Sequence, residues 1–150
     1  MASSFYPTIF QHLLKGDVDL DTAEVKVLLL TDSYSFSASH NDVADLSGEV
    51  SGSAPGYERK VVSVTLSEDL ASSGTEGCFI NFDLTGDATW SSATFTCRHA
   101  VMYINASGVD ANSKLLYYFD LGANQTVSSG TFSLLDPSPA VKLRRYSSGS

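Results

Sequence analysis

The stretch "GDVDLDTAEVKVLLL", Gly16 to Leu30, holds the reading that decides the fold. Its first half alternates Asp17, Asp19 and Asp21 with Val18 and Leu20, the opening rhythm of a calcium loop. Counting onward removes the EF-hand. The glycine required at the sixth position is Thr22, and the bidentate glutamate required at the twelfth is Leu28. What remains is a polar turn, in which aspartates bond local backbone groups while Val18 and Leu20 point inward. An irregular calcium site drawing on Asp17, Asp19, Asp21 or Glu24 is the alternative; the reading adopted assigns no metal and no cofactor. The second half is a strand. Val25, Val27 and Leu29 line one face and Leu28 and Leu30 the other, and a strand apolar on both faces is expected to be central and covered twice.

Upstream, Ile9, Phe10, Leu13 and Leu14 fall on one face of a helix expected over Pro7 to Lys15. Pro7 suits its first turn and Gly16 the position just past its end. So short a helix gains its stability by packing, and one face of the Val25–Leu30 strand is its expected seat. Downstream, Asp32 to Glu58 is a long polar loop with a helical turn expected at "HNDVADL"; loops of this length tend to serve interactions.

Strands then follow steadily: "YERKVVSVTL", "GCFINFDL", "ATW" before a turn at "SSA", "TFTCRHAVMYI", "KLLYYFDLG", "TFSLL" and "AVKLRRY". In "TFTCRHAVMYI" strict alternation places Cys97 and His99 on the same face. The spacing predicts an all-β chain, an antiparallel β-sandwich or jelly-roll-like barrel with a short N-terminal helix. One domain is expected over residues 1–150, with 146–150 a flexible tail.

The formal charge of -8 argues against direct nucleic-acid binding, which needs basic side chains to neutralise phosphates. No stretch approaches the length of a membrane helix, and the N-terminus lacks the basic start of a signal peptide. The two cysteines, Cys78 and Cys97, are therefore expected as free buried thiols. Neither they nor His12, His40 and His99 show the paired spacing of a zinc site. No nucleophile elbow, phosphate loop or dinucleotide fingerprint occurs, so the chain is read as no enzyme.

Binding fits better. Trp90, Tyr117 and Tyr118 are candidates for stacking on a sugar. Lys142, Arg144 and Arg145 gather a third of the nine basic residues near the C-terminus, a strip suited to an acidic partner or a neighbouring subunit.

The run "FQHLLKGDVDLDTAEVKVLLLTDSYSFSASHNDVADLSGEVSGSAPGYERK" resembles the N-terminal half of a group of small tailed-bacteriophage virion proteins. These open with a short apolar helix, a Gly-x-Ile-Asp-Leu-Asp-Thr-like turn and a Lys-Val-x-Leu-Leu-Thr strand. A His/Asp loop and a Glu-Val-Ser-Gly-x-Gly-Tyr segment follow. The later "FDLTGDATWSSATFTCRHAVMYI" resembles their second block, an Asp-x-x-x-Trp-x-x-Ala-Thr-Phe strand and an Arg-x-Ala-Val-hydrophobic-Tyr strand. This chain departs in its longer "SGSAPGYE" and in Leu28-Leu29-Leu30. The resemblance implies a virion structural protein assembled in the bacterial host cytoplasm, with a capsid decoration, cement or head-fibre role. The implied partner is the major capsid protein or another virion protein, and the implied assembly is a homo-oligomer, with a trimer favoured. The residues expected to meet partners are Phe10, Leu14, Tyr34, Phe36, Tyr57, Lys142, Arg144 and Arg145. The alternative is a tail- or fibre-associated module that recognises a host-surface glycan through Trp90, Tyr117 and Tyr118.

Overall fold

The computed structural model describes residues 3–69, 77–135 and 141–144. Arg145 and the expected 146–150 tail lie outside the described residues. The chain is all-β and antiparallel, with a short N-terminal helix, as its patterning predicts. The strands are β1 (Ser4–Phe5), β2 (Val25–Leu30), β3 (Lys60–Asp69), β4 (Gly77–Asp83), β5 (Thr89–Ile104), β6 (Lys114–Ser133) and β7 (Val141–Arg144). They form one curled sheet in the order β1-β6-β5-β2-β3-β4-β7, so β2 is its central strand.

Both faces of β2 are covered, by different parts of the chain. Val25, Val27 and Leu29 enter the main core with Trp90, Phe95, Met102 and Leu116, while Leu28 and Leu30 enter a second layer with Tyr6, Tyr34, Val43 and Tyr118. Helix α1 (Thr8–Lys15) lies on the main-core side, burying Ile9 and packing Phe10 and Leu13 there. The second face is roofed by the Asp32–Leu46 part of the long loop, through Tyr34, Phe36, Val43 and Leu46. A segment read as polar can do this because its few apolar residues fall together over Leu28 and Leu30. The helical turn expected in that loop is a 3-10 helix at Val43–Asp45, closed by a capping box between Asp42 and Asp45.

β5 and β6 are each far longer than their sequences suggest. The turn expected at Ser91-Ser92-Ala93 is instead an irregularity inside β5, with Ser92 at φ 51° and the pairing register shifting between Trp90 and Ala93. Likewise β6 runs on through Gly122 and Ser129, both at positive φ, and joins two strands read as separate. A further register shift between Cys97 and His99 corrects their expected common face. Phe95 and Cys97 lie in the main core with Ala100 and Met102, whereas His99 joins Tyr34 and Tyr118 on the other side.

The lower half of β5 is held by the end of the long loop. The Thr94 N–H donates to Pro55 O at 2.9 Å, and Trp90 Nε1 donates to Glu58 O at 2.8 Å. Gly56 makes this approach possible: at φ 73°, a Cβ there would stand 2.7 Å from Ser91 O and 2.8 Å from Ala93 Cα.

Candidate interaction surface

Asp17 and Asp19 of the opening stretch have local partners. Asp19 Oδ1 accepts the Asp21 N–H at 3.0 Å and the Asp19 carbonyl accepts from Ala23, an Asx turn that delivers the chain into β2. Asp17 Oδ2 faces His12 Nδ1 at 3.0 Å. Leu20 is buried and Val18 packs against the main core. Among the described residues no three His, Cys, Asp or Glu side chains converge as a metal site.

The aromatic residues expected at a surface are mostly internal. Tyr34 is 3% exposed, and Tyr57, at 8%, accepts the Leu29 N–H and donates to Glu49 Oε1. Phe36 is half-buried against Tyr6 and Tyr118, and Phe10 against Phe5. Of the rings assigned to sugar stacking, Trp90 and Tyr118 are buried, and Tyr117 packs edge-on against Phe5. Burial of their apolar surface in the two core layers draws these rings in, and the buried Tyr34, Tyr57, Trp90 and Tyr118 satisfy their polar atoms with hydrogen bonds.

Leu14 is different. It is 89% exposed. With Ile9 as the buried anchor of α1, Leu13 follows one turn later on the same side, whereas Leu14 points about 140° away. Beside this end of the helix is a cleft of about 370 Å³ lined by Leu13, Gly16, Val18, Leu20, Leu66 and Ile80, with Asp19 also on its wall. Leu66 and Ile80 are register partners on β3 and β4, so one side of the cleft is sheet and the other is the end of α1 with the Asx turn. An exposed leucine next to an apolar cleft suits a protein partner better than a small polar ligand.

Lys142 and Arg144 lie on β7, at one edge of the sheet, where Phe79 and Gly77 are their register partners. Their placement adds an edge position and nothing further.

Two charged networks escape a reading of motifs. Arg59 Nε and Nη2 bind Glu49 at 2.8 and 2.7 Å, and its Nη1 and Nη2 bind Asp110 at 2.7 and 3.1 Å. Its guanidinium lies 5.6 Å from the Tyr103 ring centre. These hydrogen bonds raise the Arg59 pKa and lower that of Asp110. Elsewhere on the sheet, Arg98 pairs with Asp120, whose carboxyl is held far below the ordinary range first by that contact. Their spacings in sequence, 10 and 51 residues for Arg59, carry no local signal. Cys97 is a free, buried thiol, and burial pushes its pKa up to about 11, away from thiolate reactivity. The side chain of Cys78 lies outside the described residues.

Compared with family models, curated proteins and solved structures, the chain matches none.

Proposed function

We propose that this chain is a non-enzymatic structural protein of a bacteriophage particle, a decoration or cement protein that binds the major capsid protein shell and stabilises it. The observation that carries the reading is the pair of sequence blocks at Phe10–Lys60 and Phe82–Ile104, which resemble phage virion proteins. The molecule has the properties such a role calls for. Its sheet is covered on both faces at β2, its long loop is tied down by Arg59 and Tyr34, and Leu14, the most exposed large apolar side chain among the described residues, follows Leu13, which lines a cleft. The contact surface on this reading is Leu14 and the adjoining cleft, together with the outer side of the Ser33–Gly56 loop and the β7 edge. The glycan-binding alternative has less to stand on, since two of its three rings are inside the protein.

Co-sedimentation with empty capsid shells tests the proposal. The protein is expected to saturate shells at a fixed stoichiometry, and Leu14→Glu is expected to weaken binding at least about tenfold by placing a charge in the apolar contact. Because Leu14 is so exposed, the same variant is expected to keep its melting behaviour, with a change within about 0.5 kcal/mol. Absence of wild-type binding to any shell overturns the reading. Full binding by the stable Leu14→Glu variant removes this surface from it.

A further inference from the structure

The cleft at the end of α1 has an apolar interior and a negative margin. Ile80 and Leu20, 3% and 8% exposed, are the most deeply buried residues of its lining, and Leu66, at 36%, is the most open apolar one. On the same lining Asp19 is an exposed carboxylate. We propose that this cleft seats one large apolar side chain of a partner protein segment that carries Lys or Arg on either side of it. The inference rests on the reading of the cleft as part of a contact surface, and it adds the chemistry of the partner.

The negative sign has more than one source. Asp19 uses Oδ1 to accept the Asp21 N–H, and among the described residues neither Asp19 nor Asp21 has an ion-pair partner. Asp19 Oδ2 is therefore open to an incoming N–H donor. Gly16, also on the lining, closes α1, where the aligned peptide dipoles leave partial negative charge. Between Leu13 and Glu24 the chain carries Asp17, Asp19, Asp21 and Glu24 against Lys15 alone. Asp17 is engaged by His12, and Glu24 by Lys26 and Asn105, so Asp19 and Asp21 supply the uncommitted charge. On β7, Val141 rather than Lys142 is in register with Ile80.

Charge and size together select the occupant. An acyl chain with a carboxylate or phosphate head would bring an anion to Asp19. A small neutral polar ligand would find Asp19 as the one polar side chain on the lining. At about 370 Å³ the cleft is at the small end of the range for ligand pockets, which suits a single aromatic or aliphatic side chain rather than a whole helix face. A guanidinium or ammonium beside that side chain completes Asp19 with a charge-assisted hydrogen bond, while the side chain itself covers Leu66. A second apolar cleft supplies the contrast. Its volume is similar, about 340 Å³, and Phe119, Leu121, Phe132, Leu134 and Leu135 are on its lining, but its one carboxylate, Asp120, is already bound by Arg98. The same partner is not expected there.

Amide NMR titration of the chain with an acetylated, amidated Gly-Arg-Phe-Arg-Gly peptide tests this. Saturable shifts are expected at the Gly16, Val18, Leu20 and Leu66 N–H groups and none at Leu121 or Phe132. Exchanging the peptide's arginines for glutamates, or its phenylalanine for alanine, is expected to weaken binding at least about fivefold. In Asp19→Asn/Asp21→Asn an amide oxygen at position 19 still accepts the N–H of position 21, so the turn is kept and only the charge is lost. That variant is expected to bind at least about threefold more weakly and with less salt dependence. No saturable shift at millimolar peptide, shifts centred on the Phe132 cleft, or equal affinity for the glutamate peptide or in the double variant overturns the proposal. Should the double variant fail to fold, wild-type binding between about 20 and 300 mM salt decides, and constant affinity overturns it. The titration needs no capsid shell. Shell saturation without peptide binding overturns this inference alone, and peptide binding without binding to any shell overturns the proposed function alone.

Discussion

Trp90→Ala is expected to destabilise the protein by about 3–5 kcal/mol, the usual cost of emptying a large aromatic site in a core. Trp90 has no solvent exposure, stacks edge-on with Phe95 at 6.3 Å and lies 5.7 Å from Phe132. It also closes the sheet. Its Nε1–H holds Glu58 O, at the end of the long loop, against the lower half of β5. Truncation therefore leaves a cavity bounded by β5 and β6 and an orphaned carbonyl at the entrance to β3. For a chain of this length each kcal/mol is worth about 2–4 °C, so the melting temperature should drop by roughly 6–20 °C. Trp90→Phe keeps part of the packing and loses the hydrogen bond, for an expected cost of about 1–2 kcal/mol. Urea denaturation followed by far-ultraviolet circular dichroism measures both. As the single tryptophan of the chain, Trp90 gives wild-type fluorescence that reports directly on this core. A loss below about 1 kcal/mol for Trp90→Ala contradicts its placement.

Sequence reading succeeded where one element satisfied its own pattern. Pro7, Gly16 and the apolar spacing between them mark α1, and five apolar residues in six mark β2 as central. The helical turn expected at "HNDVADL" is the 3-10 helix Val43–Asp45. It failed where a partner distant in sequence decides the outcome. Ser91-Ser92 has turn composition, but a β6 strand paired on both sides of it keeps β5 extended and turns the local kink into a bulge. Cys97 and His99 alternate in sequence and part company in space for the same reason. Tyr34 and Tyr57 sit in a Ser/Gly-rich stretch, and their burial depends on Tyr6, Leu29 and Glu49, none adjacent. The candidate surface was legible to the same degree. Leu14 stood out as apolar on a short helix, but its direction could be settled only once Ile9 had been chosen as the buried anchor. Leu66 and Ile80, the far wall of the cleft, come from a hairpin that local pattern does not place beside α1.

The same distant pairing makes Arg59 the charged residue whose loss should be felt most. Arg59→Met is expected to cost about 2–3 kcal/mol, between the small value of an exposed ion pair and the larger one of a fully buried pair. The intermediate figure follows from exposure: the side chains of Arg59, Glu49 and Asp110 are 28%, 32% and 43% exposed. The guanidinium joins three segments, namely the entrance to β3, the Glu49 section of the long loop, and the turn between β5 and β6 that carries Asp110. Methionine preserves most of the volume over Tyr103 and removes every one of the four hydrogen bonds. Glu49 then keeps only Tyr57 as a donor among these partners, so adding Glu49→Gln to Arg59→Met should restore roughly 1 kcal/mol by removing an uncompensated charge. A strictly additive double variant contradicts the coupling. Acid titration gives a second readout. Arg59 lowers the Asp110 pKa below its ordinary 3.8, so the stability this contributes is present above pH 3.8. It is lost as pH falls from there through the folded-state value. In Arg59→Met that part of the acid slope is expected to disappear, while the part from Asp120 and Arg98 remains. An unchanged acid limb in Arg59→Met would mean that Asp110 is held by something other than the guanidinium.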